Sequence, residues 1–252
     1  MNPEPALTDT APAGGKSAFQ GTRWSIVIRA REKDSQAAES ALSELCRIYW
    51  YPLYAFVRRC GHNHHEAEDL TQGFFEHLIG KDGLKNVDPG KGKFRSFLLT
   101  SIKHFLGNER DRAQSLKRGG GCQHLPIDLS GGEDRYGLEP ADKMTPQALY
   151  EQCWAMDLLT GAMSDLRKEY EARGRKDVFD LMEGFIVESG PVDSYANAAA
   201  ALKTSEGNVK VLVYRIRRRF GELLRERIAH TVESEAEIDD EIRHLMSCLT
   251  TP

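Results

Sequence analysis

Apolar positions recur at helical spacing along most of this chain, and no stretch shows the alternation of a half-buried strand. Leu42, Leu45, Ile48, Tyr49 and Leu53 predict a long helix over residues 34–59, with Pro52 expected to kink or divide it. Leu70, Phe74 and Leu78 share one face of a second helix over 66–79, ended by Gly80 and Gly83. Asp88, Pro89 and Gly90 form a turn before a third helix over 94–117. Gly119, Gly120 and Gly121 break the pattern, and from there to Lys143 no period is sustained, which reads as a linker. Thr145 and Pro146 are an N-cap and first-turn proline for a helix reaching about Arg173, where Gly174 stops it. Another helix is expected over 176–189, before Gly190 and Pro191. Tyr195, Ala198, Ala199 and Leu202 then give a short helix one apolar face. Lys203, Thr204 and Ser205 make a turn with Thr204 or Ser205 as N-cap, and Val209, Val213, Ile216, Phe220 and Leu223 or Leu224 mark a long helix. A short helix over 238–248 closes the pattern. The fold class is all-α, two helical domains joined by a flexible linker, the second ending in a helix-turn-helix.

Charge changes this picture more than composition does. The 252 residues carry a net charge of only -4, but the charge is segregated. Residues 91–118 and 203–227 are markedly basic, and residues 233–241 are almost purely acidic. Two electropositive surfaces and one acidic tail follow, and opposite charge would bring Glu233, Glu235, Glu237, Asp239, Asp240 and Glu241 towards Lys210 and the Arg215 to Arg219 cluster. The alternative is that residues 238–249 complete a core. Cys46, Cys60, Cys122, Cys153 and Cys248 are odd in number and lack paired spacing, which fits reduced thiols in a cytoplasm. No apolar run approaches the roughly 20 residues of a membrane helix. Residues 1–20, rich in Pro, Ala, Gly and Thr, read as a disordered leader.

Three segments carry candidate chemistry. In 194–228 the apolar stripe is backed by Asn208, Lys210, Arg215, Arg218 and Arg219, as in a helix that packs on its neighbour and turns a basic face to DNA. In 94–118, Phe94, Phe97 and Phe105 alternate with Arg95, Lys103, Arg110 and Arg112, so that rings could stack on unpaired bases while the cations hold phosphates; residues such as Phe105 and Leu98 are more often core. In 66–79, Glu66, Asp69, Gln72 and Glu76 line a polar face, either solvated or docked on a basic partner. Cys60, His62, His64 and His65 match no closed zinc set, so no metal is expected, and no cofactor motif is present. No phosphate-cradling loop, nucleophile elbow or paired-carboxylate constellation points to an enzyme.

In their order along the chain, EAEDLTQGFFEHL, FRSFLLTSIKHFLGNERDRA and SYANAAAALKTSEGNVKVLVYRIRRRF resemble the sigma-70 family of RNA polymerase sigma factors, in its two-domain extracytoplasmic-function (ECF) group. TRWSIVIRAR and VDPGKGKFRSFLL resemble a subgroup with C-terminal extensions. The resemblance implies a sigma domain 2 over 21–118, a linker over 119–145, a sigma domain 4 over 146–230 and an acidic extension over 231–252. It implies that Glu68, Asp69 and Gln72 contact the β′ clamp helices of core polymerase. Phe94, Phe97, Asn108 and Arg112 would read and melt the −10 element. Glu206, Asn208, Lys210 and Arg215 would read the −35 element. The implied partners are core RNA polymerase, through β′ and β, and promoter DNA, with an anti-sigma factor or kinase as candidate regulators. The implied function is transcription initiation without catalysis by this chain. A helix-turn-helix regulator that does not engage polymerase is the alternative; it would leave the acidic and aromatic-basic helices without a role.

Overall fold

The computed structural model describes residues 36–80, 84, 93–115, 132–137, 144–187, 194–230, 232 and 234–250. All regular structure among them is helical: α1 Gln36–Arg59, α2 His64–Gly80, α3 Phe94–Ser115, α4 Gly132–Tyr136, α5 Pro146–Ala172, α6 Lys176–Met182, α7 Gly184–Val187, α8 Ser194–Ala201, α9 Glu206–Ala229 and α10 Glu235–Thr250. The leader over 1–20, the WSIVIRAR segment and the triple glycine lie outside the described residues.

Local chemistry sets the boundaries. α1 runs through Pro52 as one element rather than dividing there. α2 starts two residues before the predicted point because Asn63 and Glu66 form a reciprocal capping box. The Glu66 N–H donates to Asn63 Oδ1 at 3.0 Å and the Asn63 N–H to Glu66 Oε2 at 3.1 Å. Thr145 Oγ1 caps α5 by accepting from Ala148 N–H at 3.1 Å, with Pro146 in the first turn. The helix expected over 176–189 divides at Glu183 into α6 and α7. The linker region contains the short α4, which its Gly- and Asp-rich sequence does not announce.

Two helices stop in the same way with different residues. At the end of α5, Arg175 N–H reaches Tyr170 O and Gly174 N–H reaches Glu171 O, both at 2.9 Å, with Gly174 at φ +67°. At the end of α8, Thr204 N–H reaches Ala199 O at 2.9 Å and Lys203 N–H reaches Ala200 O at 3.2 Å, with Lys203 at φ +50°. Both are Schellman stops, but only the first has the glycine that adopts this conformation without a Cβ penalty.

α1 and α5 pack side by side at the centre. α2 lies on α1 and α3 on α2, while α9 and α10 pack on α5, and α8 and α7 on α9. The buried residues form one continuous cluster from Leu45, Leu53 and Phe94 through Tyr150 and Trp154 to Val213, Ile216 and Leu245. α4 is fastened to α1 by polar contacts: Glu133 accepts from the Tyr54 hydroxyl at 2.7 Å and pairs with Arg58 at 2.7 Å. Arg135 lies 3.5 Å from the centre of the Tyr51 ring and pairs with Asp157 of α5. Gly161 on α5 faces Arg227 of α9, whose guanidinium would lie 2.6 Å from an added Cβ. Its missing side chain lets Arg227 reach Asp165, 2.5 Å away.

Candidate nucleic-acid interface

The capping box fixes the start of α2, so its polar positions project from a defined turn. Asp69 is exposed. Glu68 is half-buried, with its carboxylate 3.5 Å from His64 Nε2 and 3.9 Å from His65 Nδ1. Gln72 is buried, only 9% exposed, and its amide donates to Glu76 at 3.3 Å. Asp69 and the half-buried Glu68, together with the exposed Glu66 of the capping box, are therefore acidic groups of this helix able to accept from the cations of a basic partner.

α3 divides lengthwise. Its start is inside the protein: Phe94 is 1% exposed, edge-on to Tyr49 at 5.5 Å and stacked on Phe97 at 5.9 Å. Phe97 is partly buried against the core, and Phe105 sits 5.8 Å from both Phe74 and His77. In this arrangement Phe94 has no face for a base, and Phe97 offers only part of one. The second half of α3 points outward. Asn108, Arg110 and Arg112 are exposed, with Arg112 bound to Glu109 at 2.6 Å.

α8 and α9 pack across the turn through Ala198, Ala199, Val209 and Val213, all buried. Ser205 caps α9 by accepting from Asn208 N–H at 3.3 Å, and the Asn208 side-chain amide donates to Thr204 Oγ1 at 2.9 Å. Glu206, Asn208, Lys210 and Arg215 are all exposed, and Lys210 Nζ lies 5.9 Å from the centre of the Tyr195 ring. Sequence reasoning missed two neighbours on the same surface. Val211 and Tyr214 are 48% and 66% exposed, and Lys210, Val211, Tyr214 and Arg218 follow the i, i+1, i+4, i+8 course of one helix face. The missing signal was the apolar stripe itself. Val209, Val213 and Ile216 fill the buried side, leaving Val211 and Tyr214 outside it.

Further along α9 the cations are used internally. Arg219 binds Glu169 of α5 at 2.5 Å and Glu226 at 3.1 Å, Arg227 binds Asp165, and the Arg217 guanidinium donates to the Phe185 carbonyl at 2.7 Å. The hydrogen bond from Arg219 holds the Glu169 carboxyl below its ordinary pKa and, against burial, Glu169 and Glu226 hold Arg219 above its own.

The acidic tail takes a different course from the electrostatic expectation. α10 packs on α5 and α9, with Ile238 and Leu245 buried. Asp239 pairs with Arg225 at 2.7 Å and Asp240 with Arg243 at 2.5 Å. Glu241 is buried and binds Lys93 and Arg95 at the start of α3. Arg95, itself 7% exposed, also binds Glu151 of α5, lies 5.0 Å from the Trp154 ring centre, and lends its carbonyl to the Tyr150 hydroxyl at 3.0 Å. Burial disfavours the charge on Arg95, but Glu241 and Glu151 outweigh it and raise its pKa. Sequence reasoning placed Arg95 among phosphate-binding residues; in this arrangement it serves the interior.

Residues 49–115, which span the C-terminal part of α1 together with α2 and α3, match the family model for Sigma-70 region 2. No curated protein and no solved structure matches the chain. The match covers about a quarter of the chain; it supports a sigma factor role in transcription initiation, for which region 2 implies contact with core RNA polymerase and promoter DNA. No described helix is long and apolar enough to cross a membrane.

Proposed function

We propose that this chain is a cytoplasmic sigma factor of the ECF group that carries core RNA polymerase to promoters through two reading surfaces. The observation that carries the reading is the region 2 match, because it covers the acidic helix and the aromatic-basic helix in one block. In this reading Asp69 and Glu68, with Gln72 supporting them from the same helix, meet the β′ clamp helices. Asn108 and Arg112 on the open half of α3 meet the −10 region. Phe97 is placed to follow one melted base once it is released from the core, and Phe94 sets the ring behind it.

The −35 reading rests on α8 and α9. Glu206, Asn208, Lys210 and Arg215 are exposed at the capped end of α9, and Val211 and Tyr214 add apolar surface suited to thymine methyl groups. Lys210 and Arg215 supply phosphate and base-edge contacts, which makes binding salt-dependent. Domain 2 then corresponds to residues 21–118, domain 4 to 146–230, and 231–252 to a C-terminal extension.

The test is promoter-directed transcription by purified core polymerase, with and without the chain. The expected result is specific initiation only when the chain is present, abolished by the double substitution Glu68→Lys and Asp69→Lys. Core polymerase captured equally well by the double variant would remove the docking assignment. A chain that binds DNA but never core polymerase would be a helix-turn-helix regulator instead.

A further inference from the structure

Glu151, His244 and Cys248 bring a carboxylate, an imidazole and a thiol together at the seam of α5 and α10, with ligand atoms all within 4.8 Å of one another. His244 Nε2 stands 2.8 Å from Glu151 Oε2 and 3.3 Å from Cys248 Sγ. Sequence reading could not find this trio, because Glu151 lies 93 residues from His244.

The geometry has three properties of a transition-metal site. First, His244 and Cys248 are one turn apart on α10, the i, i+4 spacing that turns two ligands to one side, and Glu151 meets them from another helix. Second, a tetrahedral zinc ion with bonds of about 2.0 Å to nitrogen and about 2.3 Å to sulfur separates those two atoms by about 3.5 Å. The observed separation of His244 and Cys248 needs to grow only slightly to admit it. Third, Glu151 is already held in place: its Oε2, the oxygen that meets His244, is also bound by Arg95. Glu241 in turn offsets the charge of Arg95. Ligating carboxylates are held in this way by outer-shell hydrogen bonds.

We infer that Glu151, His244 and Cys248 bind a zinc ion that clips α10 to α5, with water completing the coordination. Thiolate and imidazole together favour zinc over magnesium or calcium. Zinc would displace the Cys248 thiol proton as it binds. The trio of His64, His65 and Glu68 on α2 is a poorer match. Its His65 side chain is 88% exposed, His64 is already within 2.9 Å of the Tyr54 hydroxyl, and no sulfur is present. The clip is structural and independent of promoter reading.

The experiment uses the full chain, freed of metal by chelation and titrated with zinc or cobalt(II). The expected result is about one equivalent bound tightly, a thiolate-to-cobalt charge-transfer band, and a rise in Tm on the order of 5 °C. Cys248→Ser and His244→Gln should each lose the band and the Tm rise, while Cys60→Ser, at an exposed thiol outside the trio, should keep both. Zinc that binds equally well after both substitutions, or no stoichiometric binding at all, would overturn the assignment. Should either variant fail to fold, X-ray absorption of the zinc-loaded wild-type chain decides. One sulfur in the coordination shell supports the site; a shell of nitrogen and oxygen alone refutes it.

Discussion

α3 and α9 are both long, basic and aromatic, yet they are built in opposite senses. In α3 the N-terminal end is locked: Phe94 is in the core and Arg95 is held by Glu241 and Glu151, while Asn108, Arg110 and Arg112 stand open at the far end. In α9 the N-terminal end is open, with Lys210, Val211, Tyr214 and Arg215 exposed, and the far end is locked by Arg219 and Arg227 on α5. Positive charge therefore does not identify a nucleic-acid surface. The partner already occupied by each cation does. An arginine held by one buried and one partly buried carboxylate is a structural element, and one on an exposed turn is available to phosphate.

Four variants test that division, and their effects on folding should fall in the order given. Phe94→Ala should cost about 4 kcal/mol in denaturant unfolding, the range for a fully buried phenylalanine. A loss under about 1 kcal/mol would return Phe94 to the surface and open the start of α3 to DNA. Glu241→Ala removes the buried partner of Arg95, leaving it Glu151 alone, and should cost about 3 kcal/mol. A neutral result would mean that Arg95 escapes to solvent and that the lock is not intrinsic to the fold.

Glu169→Gln probes the locked end of α9 and should cost about 1 kcal/mol near neutral pH. The sign with pH follows from the lowered carboxyl pKa. The stabilisation is complete above the ordinary value of 4.5 and disappears as pH falls through the folded value. Wild type and variant should therefore converge in acid, as read from chemical denaturation across pH. A gap that widens in acid would contradict the assigned pairing.

The double substitution Lys210→Ala and Arg215→Ala should leave stability within about 0.5 kcal/mol, since both residues are exposed. Its effect belongs in binding. Affinity for −35 DNA should fall severalfold, and the salt slope should flatten by about 1 for each phosphate contact removed. Unchanged affinity and slope would take the open end of α9 out of the interface.

Much of the helical frame was legible because the apolar stripe and its punctuation agree. Thr145 with Pro146, Gly174, and Ser205 each act as the sequence suggests. What was not legible came from pairings distant in sequence. α4 exists against α1 through Glu133, which its own residues do not reveal. Gln72 and Phe94 looked available because helical periodicity locates a face but not what covers it. Arg95 looked like a phosphate ligand because Glu241, which claims it, lies 146 residues away. Lys203 occupies a left-handed position where glycine is the usual signal, so the end of α8 had to be inferred from the turn residues around it.

The same separation has a consequence in time. Arg95 leaves the ribosome long before its two carboxylates: Glu151 follows after 56 residues and Glu241 after 146. At roughly 5–20 residues per second, the nascent chain carries Arg95 for on the order of 10 s before α10 can cover it. The region 2 segment is thus synthesised before either carboxylate, and the pairing of Arg95 with Glu241 forms only when the last described helix arrives.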